Sequence, residues 1–192
     1  MTVFTPMILA RTNQNSMVLG TVQSVWAAGA IVGGIVMSAW GGFRRRIYGT
    51  LIFDLIGALA MIAAGLRPSV LLLAIAAFTF FVSMPISQSS LRSIWQSTVP
   101  LPLQGRVFAT RDMLAIGAAP LAFLLMGPLA DNIFEPLMAT NGAFASTVGA
   151  WIGTGQGRGI ALLFIVMGSC FLVINIAAWC NPNIRNLESK DK

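Results

Sequence analysis

Long apolar stretches with almost no charge alternate with short polar segments along the whole chain. Residues 18–39 carry no charged side chain, and residues 47–66 carry only Asp54. A helix needs about 20 consecutive apolar residues to cross a lipid bilayer. The pattern therefore predicts five full membrane-spanning helices, at about residues 17–40, 47–66, 70–91, 106–130 and 160–180.

The two ends of the chain differ from these spans. Residues 1–10 are apolar but too short to cross a bilayer, so we expect them to form only the last part of a helix. Residues 181–192 are polar and are expected to form a tail. The predicted fold is all-α, a polytopic membrane helix bundle in which one domain holds five full transmembrane helices and an N-terminal helix stub.

A glycine pair followed by three arginines separates the first two spans. Gly41 and Gly42 can adopt the left-handed backbone dihedrals that a tight turn requires. Arg44, Arg45 and Arg46 would each cost about 3 kcal/mol or more at the centre of a bilayer, so they belong in water or among lipid headgroups. This segment is therefore predicted to be a tight turn between two membrane-spanning helices.

The basic residues also predict the orientation of the chain. If the arginine turn is cytoplasmic, nine of the twelve basic residues lie on the cytoplasmic side, and the other three are Arg11, Arg67 and Arg158. Cytoplasmic loops of membrane proteins carry an excess of Lys and Arg. We therefore expect a multi-pass protein of the plasma or inner membrane with a cytoplasmic C-terminus.

Composition supports a membrane protein and narrows its partners. Hydrophobic residues make up 56% of the chain and charged residues only 9%, against about 25% charged in soluble domains. The net charge of +6 could suggest nucleic acid, but the basic residues are scattered between apolar runs and form no basic face. The lipid bilayer is thus an expected partner, and nucleic acid is not.

The residue types of common catalytic and metal sites are largely missing. The chain has no histidine, and Cys170 and Cys180 would lie about 15 Å apart along a helix, too far for a disulfide. The glycine-rich run at 153–159 lacks the spacing of a phosphate-binding Walker loop and is expected to be a flexible extracytoplasmic loop. We expect no enzyme activity, no cofactor and no metal.

Four polar residues inside the spans are candidates for transport. Asp54 lies about 10 Å along its helix from Ile47, and an intramembrane carboxylate is a default candidate for carrying a proton or binding a cation. The alternative is a structural pair with an arginine of the turn. Gln23, Ser87 and Gln88 are candidates for lining a cavity, and the alternative for each is a hydrogen bond to a neighbouring helix.

Other polar residues and two prolines predict local features of the helices and loops. Polar side chains fill the second half of the third span, at 83–90, so this half should face other helices or a wet cavity, and Asn175 should bond between helices. Pro120 and Pro128 should kink the fourth span or mark its end. The segments 94–104 and 131–157 are predicted to be loops.

Small residues in the first span predict a close helix contact. Gly29 and Gly33 form one row, and Ala30 and Gly34 form the next. Such rows let the backbone of another helix approach in a membrane.

Three charged residues lie at the start of the fourth span. Arg106 and Arg111 are expected to be cytoplasmic boundary charges, and Asp112 could pair with either of them. A salt bridge that gates transport is the alternative.

Three stretches of the chain resemble the C-terminal half of a major facilitator superfamily exporter of the macrolide-efflux kind. They are LGTVQS at 19–24 with the glycine-rich helix and WGGFRRR at 40–46, then WQ at 95–96, VP at 99–100 and QGRVFATR at 104–111, then PL at 120–121, GPLAD at 127–131 and FEPLM at 134–138. The resemblance covers nearly the whole chain, from the end of that family's seventh helix through its twelfth.

This resemblance implies a function that the residue pattern alone does not give. It implies half of a twelve-helix transporter that exports an amphipathic small molecule, such as a drug or siderophore, by antiport with protons. Such a half would need the N-terminal half, from a separate chain or a second copy, and would be inactive without it. The alternative is a non-transporting truncated remnant or a small membrane scaffold protein.

One part of the family's pattern differs here. That family's loop carries an aspartate ahead of the basic run, where this chain has Ser38 and Ala39. The arginines of the turn could still serve a cytoplasmic gate, or they could anchor the chain to anionic lipid headgroups at about 1 kcal/mol each.

Overall fold

A computed structural model describes residues 16–67, 69–140, 142, 144, 146–155 and 157–185. The predicted stub at 1–10 and most of the predicted tail lie outside the described residues. The helices are α1 (Ser16–Trp40), α2 (Arg46–Leu66), α3 (Val70–Thr98), α4 (Leu101–Leu129), α5 (Glu135–Met138), α6 (Gly149–Ile152), α7 (Arg158–Cys180) and α8 (Pro182–Arg185), and a π-helical segment (Ala130–Phe134) joins α4 to α5.

The all-α membrane fold is confirmed. Five helices in the described part of the chain are long and apolar enough to cross a membrane, and the same residues contain no strand. Backbone groups within a bilayer must be satisfied inside the protein, and a helix does this within one segment. The chain is therefore a polytopic membrane helix bundle.

The predicted loop at 94–104 is wrong, because helix occupies nearly all of it. α3 continues to Thr98, and only Val99 and Pro100 separate it from α4. Pro100 has no N–H to donate and restricts Val99 to an extended backbone, with φ −91° and ψ 127°. The side chain of Gln104 then donates to the carbonyl of Val99 at 3.0 Å, which satisfies a backbone group at the turn.

The predicted loop at 131–157 is also partly wrong. Its first residues belong to the π-helical segment and to α5, where the N–H of Glu135 bonds to the carbonyl of Ala130, five residues earlier. Pro120 and Pro128 both lie inside α4, which continues through them. The change to π-helix comes two residues after Pro128, so this proline precedes an altered helix rather than a loop.

Glycines bring α1 close to α3. A Cβ at Gly29 would lie 2.9 Å from the carbonyl oxygen of Phe78, and a Cβ at Gly33 would overlap the carbonyl oxygen of Val82. The close contact predicted for the Gly29–Gly33 row is therefore confirmed. Gly34 of the second row makes no such contact, because no described residue lies within 4 Å of the corresponding position.

Glycines also bring α2 close to α7. A Cβ at Gly65 of α2 would lie 2.6 Å from the carbonyl oxygen of Ala161, and a Cβ at Gly168 of α7 would lie 2.8 Å from Cγ1 of Ile62. Small residues on both helices thus allow close backbone approach. In the resulting packing, α3 lies between α1 and α2, and α2 lies between α3 and α7.

The helix α4 is the exception to this packing. Its apolar side chains are largely exposed, as for Leu101 (84%), Met113 (73%) and Leu124 (71%). Its first turns touch the end of α3 through Gln104 and Arg111, and its continuation returns to the bundle, where Ala130 packs in a core cluster with Phe164 of α7. The lateral surface of α4 is thus available to lipid or to other helices.

The carboxylate of Glu135, at the start of α5, links the continuation of α4 to α7. Glu135 accepts hydrogen bonds from the backbone N–H of Gly157 at 2.6 Å and of Gly159 at 3.0 Å. These N–H groups lie at the N-terminus of α7, where the helix dipole favours a negative charge. A Cβ at Gly159 would meet the backbone of Glu135 and Phe134, so only glycine fits there. Part of the glycine-rich run is therefore a helix cap.

We expect substitution of Gly33 by leucine to weaken the packing of α1 on α3. The added side chain would meet the backbone of Val82, and overpacking of this kind costs about 1–3 kcal/mol. The matched control is Gly34→Leu, where open space surrounds the new side chain. Thermal unfolding in detergent, with the remaining folded protein measured by size-exclusion chromatography, should show a lower midpoint for Gly33→Leu only. Equal midpoints for the two variants would contradict the packing described here.

Candidate functional site

A short hydrogen bond links the one acidic residue of α2 to α3. The hydroxyl of Ser87 donates to Oδ1 of Asp54 at 2.5 Å. This length is typical of a hydroxyl bound to a charged oxygen, which is stronger than a neutral hydrogen bond. The two helices can approach here because Gly49 has no side chain, and a Cβ at that position would lie 2.7 Å from Oγ of Ser90.

The arginines of the turn make other contacts. Arg46 donates from Nη1 to the carbonyl oxygen of Ser93 at 3.0 Å. Arg44 and Arg45 are exposed. Among the described residues the hydrogen-bond partner of Asp54 is Ser87, so the geometry favours a group shared by α2 and α3 over a pair with the turn.

Asp54 lines a cavity of about 540 Å³ between α2, α3 and α7. This volume is in the range of pockets that bind drug-sized molecules. Thr50, one turn before Asp54, and Asn175 on α7, which is 5% exposed, also line it with polar side chains, as does Thr98 near the end of α3. The other lining residues are mostly apolar, and they are Ile47, Leu51, Leu91, Ile94, Trp95, Thr98, Val99, Phe171, Ile174, Ala178 and Ile184.

A second, smaller cavity lies on another side of the same carboxylate. Its volume is about 160 Å³, and Ser83, Ser87 and Gln88 give it a polar lining from α3. Asp54 and Phe171 line both cavities. The carboxylate therefore borders two spaces, a large one lined mostly by apolar residues and a small one in which apolar residues alternate with polar ones.

The remaining charged candidates lie on α4. Nη2 of Arg111 is 3.5 Å from Oε1 of Gln88, at the limit of a hydrogen bond. Arg106 and Arg111 also line a shallow pocket of about 650 Å³ together with Trp95. Asp112 is exposed, and the described structure records no ion pair between it and either arginine.

The predicted candidates thus divide into two groups. Asp54, Ser87 and Gln88 come together on α2 and α3, whereas Gln23 is exposed on α1 and lines neither of the two cavities. Sequence reasoning missed Thr50, although its position four residues before Asp54 places both on one helix face.

The predicted tight turn is confirmed by its backbone. Gly41 and Gly42 have φ angles of 74° and 82°. Beside them, the rings of Trp40 and Phe43 meet edge to face with centroids 4.6 Å apart, which packs the turn against the end of α1. The exposure of all three arginines agrees with a position in water or among headgroups. In the described residues, no three Cys, Asp or Glu side chains come together as metal ligands would.

Comparison with known proteins shows similarity to drug efflux pumps. The chain is 35% identical over 116 residues to the multidrug efflux pump Tap of Mycolicibacterium fortuitum, a match that covers 59% of this chain and 28% of that pump. It is 34% identical over 117 residues to the pumps of the same name in Mycobacterium bovis BCG and Mycobacterium tuberculosis H37Rv, covering 57% of this chain and 27% of each pump.

The matched stretch is thus between a quarter and a third of the length of these curated relatives. No protein-family profile matches the chain, and no solved structure matches it. The similarity supports a multi-pass membrane protein of the transporter class rather than an enzyme.

We expect Ser87→Ala to destabilise the bundle by about 1.5–3 kcal/mol, because it removes the donor to the Asp54 carboxylate. The matched control is Ser83→Ala on the same helix, where the lost hydroxyl donates only to the carbonyl of Thr79 in its own helix. Thermal unfolding in detergent should show the larger loss for Ser87→Ala. Equal losses would show that the Asp54 bond adds nothing to stability.

Proposed function

We propose that this chain forms the C-terminal part of a secondary-active exporter of the major facilitator type and macrolide-efflux kind. It would export amphipathic small molecules, such as drugs or siderophores, in exchange for protons. The observation that carries the proposal is Asp54, a carboxylate within a membrane-spanning helix that lines a drug-sized cavity. The similarity to pumps named for multidrug efflux supports the same conclusion.

The geometry around Asp54 suits proton exchange. While the carboxylate is charged, the Ser87 hydroxyl donates to it. When Asp54 takes up a proton, it becomes a donor itself, and the Ser87 hydroxyl can rotate and accept. Because the carboxylate borders two cavities, it can exchange a proton with either of them. Arg111, in reach of Gln88, would couple the smaller cavity to the position of α4.

Transport by this type of fold needs two halves that rock around a central site. We expect the exposed apolar surface of α4 to pack against helices supplied by the other half, from a separate chain or a second copy of this one. The chain alone would then be inactive. A non-transporting remnant or scaffold is the outcome if no such half restores export.

The proposed orientation places the arginine turn and the C-terminus in the cytoplasm, by the excess of basic residues on that side. In this orientation Arg106, Arg111 and Asp112 lie at the cytoplasmic end of α4, where they serve either as boundary charges or as part of a gate. The exposed arginines of the turn would contact anionic lipid headgroups.

Cysteine labelling tests this orientation. In a chain with Cys170 and Cys180 replaced by serine, we introduce Arg45→Cys or Thr154→Cys, both at exposed positions at opposite ends of the bundle. A membrane-impermeant maleimide should label Thr154→Cys on intact cells and Arg45→Cys only after permeabilisation, because charged turns remain on the cytoplasmic side. The reverse labelling would show the opposite orientation.

A chimera tests export. In the Mycolicibacterium fortuitum pump, the region that aligns with this chain and everything C-terminal to it are replaced by this whole chain, so that the complete cavity is present, and energised vesicles are assayed for export of a fluorescent dye. We expect export that a protonophore abolishes and that Asp54→Asn reduces by about tenfold or more, because the amide cannot carry a proton. The matched control, Asp131→Asn, changes an exposed carboxylate that borders neither cavity and should retain export.

Two results would contradict the proposal. A chimera that is inserted and stable but exports nothing would favour the remnant or scaffold. Export by this chain alone, as a monomer, would overturn its assignment as part of a larger transporter.

A further inference from the structure

A groove of about 650 Å³ lies between the end of α3 and the start of α4, and we call it the α3–α4 groove. Trp95 lines it from α3. The residues that line it from α4 follow the i, i+3, i+4, i+7 spacing of one helix face, and they are Leu103, Arg106, Val107, Thr110, Arg111 and Leu114. The amide of Gln104 ties the two helices together here, because it donates to the carbonyl oxygens of Gln96 at 2.9 Å and Val99 at 3.0 Å.

The charge of this groove is positive. Arg106 and Arg111 are its charged lining residues, and neither Asp112 nor any other acidic residue lines it. In the described part of the chain, the guanidinium of Arg106 has no recorded hydrogen bond or ion pair. The contact of Arg111 with Gln88, at 3.5 Å, leaves most of its N–H donors available. A matching ligand would therefore supply negative charge and several hydrogen-bond acceptors.

Both arginines lie at the depth where hydrocarbon gives way to lipid headgroups. Residues 113–130 carry no charge, and as a helix they cover about 27 Å, close to the hydrocarbon thickness of about 30 Å. Arg111 thus lies at the edge of the hydrocarbon, and Arg106 lies about 7.5 Å further out along the helix. Trp95 follows the uncharged run 70–91 of α3, and tryptophan is enriched at membrane interfaces. The groove is therefore at the level of lipid phosphates.

Apolar side chains lie between the two arginines on the same helix face. Arg106 and Arg111 are about 140° apart around the axis of α4, and Leu103, Val107 and Leu114 fall between them. A free anion would gain nothing from this surface, whereas a lipid would keep an acyl chain against it.

This apolar surface continues along α4 into the hydrocarbon. Leu121 and Leu125 follow Leu114 at intervals of seven and eleven residues on the same face, and both are 62% exposed. Met113 and Ile116 are exposed on another face of the helix. An acyl chain along the first face would therefore leave the second face for helices of another half.

We propose that the α3–α4 groove binds one anionic phospholipid, with its phosphate held by Arg106 and Arg111 and an acyl chain along Leu114, Leu121 and Leu125. Guanidinium groups suit this role because they can donate two parallel hydrogen bonds to the oxygens of a phosphate. The inference goes beyond the proposed export and does not depend on it, since the ligand belongs to the membrane and is not the exported molecule.

Photo-crosslinking tests this site in the purified full chain, held in phosphatidylcholine nanodiscs. The probe is phosphatidylglycerol with a diazirine in one acyl chain, added as a small fraction of the lipid. The matched probe is phosphatidylcholine with the same chain, which has a phosphate but no net charge. Mass spectrometry of peptides then locates the label. We expect saturable labelling within residues 101–125, at least about tenfold stronger with phosphatidylglycerol, because two arginines attract its charge.

Variants of the two arginines test the phosphate contacts. We expect Arg106→Gln and Arg111→Gln each to lower the preference for phosphatidylglycerol by about threefold to fivefold, and the double variant to abolish it. Arg106→Lys should retain most of it, because the positive charge remains. The matched control is Arg44→Gln with Arg45→Gln, which removes two exposed charges from the turn and should leave labelling of residues 101–125 unchanged.

Several results would overturn the inference. Equal labelling by the two probes, or no effect of the double variant, would show that the groove does not recognise a charged lipid. An equal loss in the control variant would show only a general attraction to a basic protein. Inorganic phosphate that competes as well as unlabelled phosphatidylglycerol would show an anion site without a lipid. Loss of the labelling in the chimera would show that helices of the pump cover the groove. If Arg111→Gln does not fold, Arg106→Gln decides, because its side chain is exposed.

Discussion

Keeping a carboxylate within a membrane-spanning bundle is the constraint on which the rest of this site depends. Asp54 would be costly against lipid, and the structure lowers that cost by placing a hydroxyl donor, that of Ser87, beside it. The hydrogen bond from Ser87 requires α2 and α3 to lie close together, and Gly49 permits this. The polar half of α3 thus has a physical reason to face α2 rather than lipid.

The same packing explains the arrangement of the other helices. Lipid tails are as apolar as the side chains, so helices in a membrane associate through close backbone approach and hydrogen bonds rather than through the hydrophobic effect. Glycines serve this purpose between α1 and α3 and between α2 and α7. The glycines of α4 make no comparable contact with described residues, and the helix is joined to the bundle through Gln104 and Arg111 at one end and through its continuation and Glu135 at the other. It is the element best placed to meet further helices.

Part of the site could be predicted from the sequence. Asp54 stood out because a charge in an otherwise apolar span is costly, and Ser87 and Gln88 stood out because they interrupt the apolar run of α3. Thr50 did not stand out, since threonine is common in spans and its place beside Asp54 in a cavity comes from the packing of three helices. Gln23 has the same polarity as Gln88 in the sequence, but it lies exposed on another helix. Polarity along a chain does not say which side chains meet.

The sequence by itself determined the all-α membrane class and the tight turn at Gly41 and Gly42, because hydropathy and glycine dihedrals are local properties. Only the tertiary structure decided where α3 ends and that Glu135 caps α7, a contact between residues 22 positions apart. It also decided which polar groups share a cavity. Hydropathy measures the preference of a segment for lipid, whereas these features depend on how helices distant in sequence approach each other.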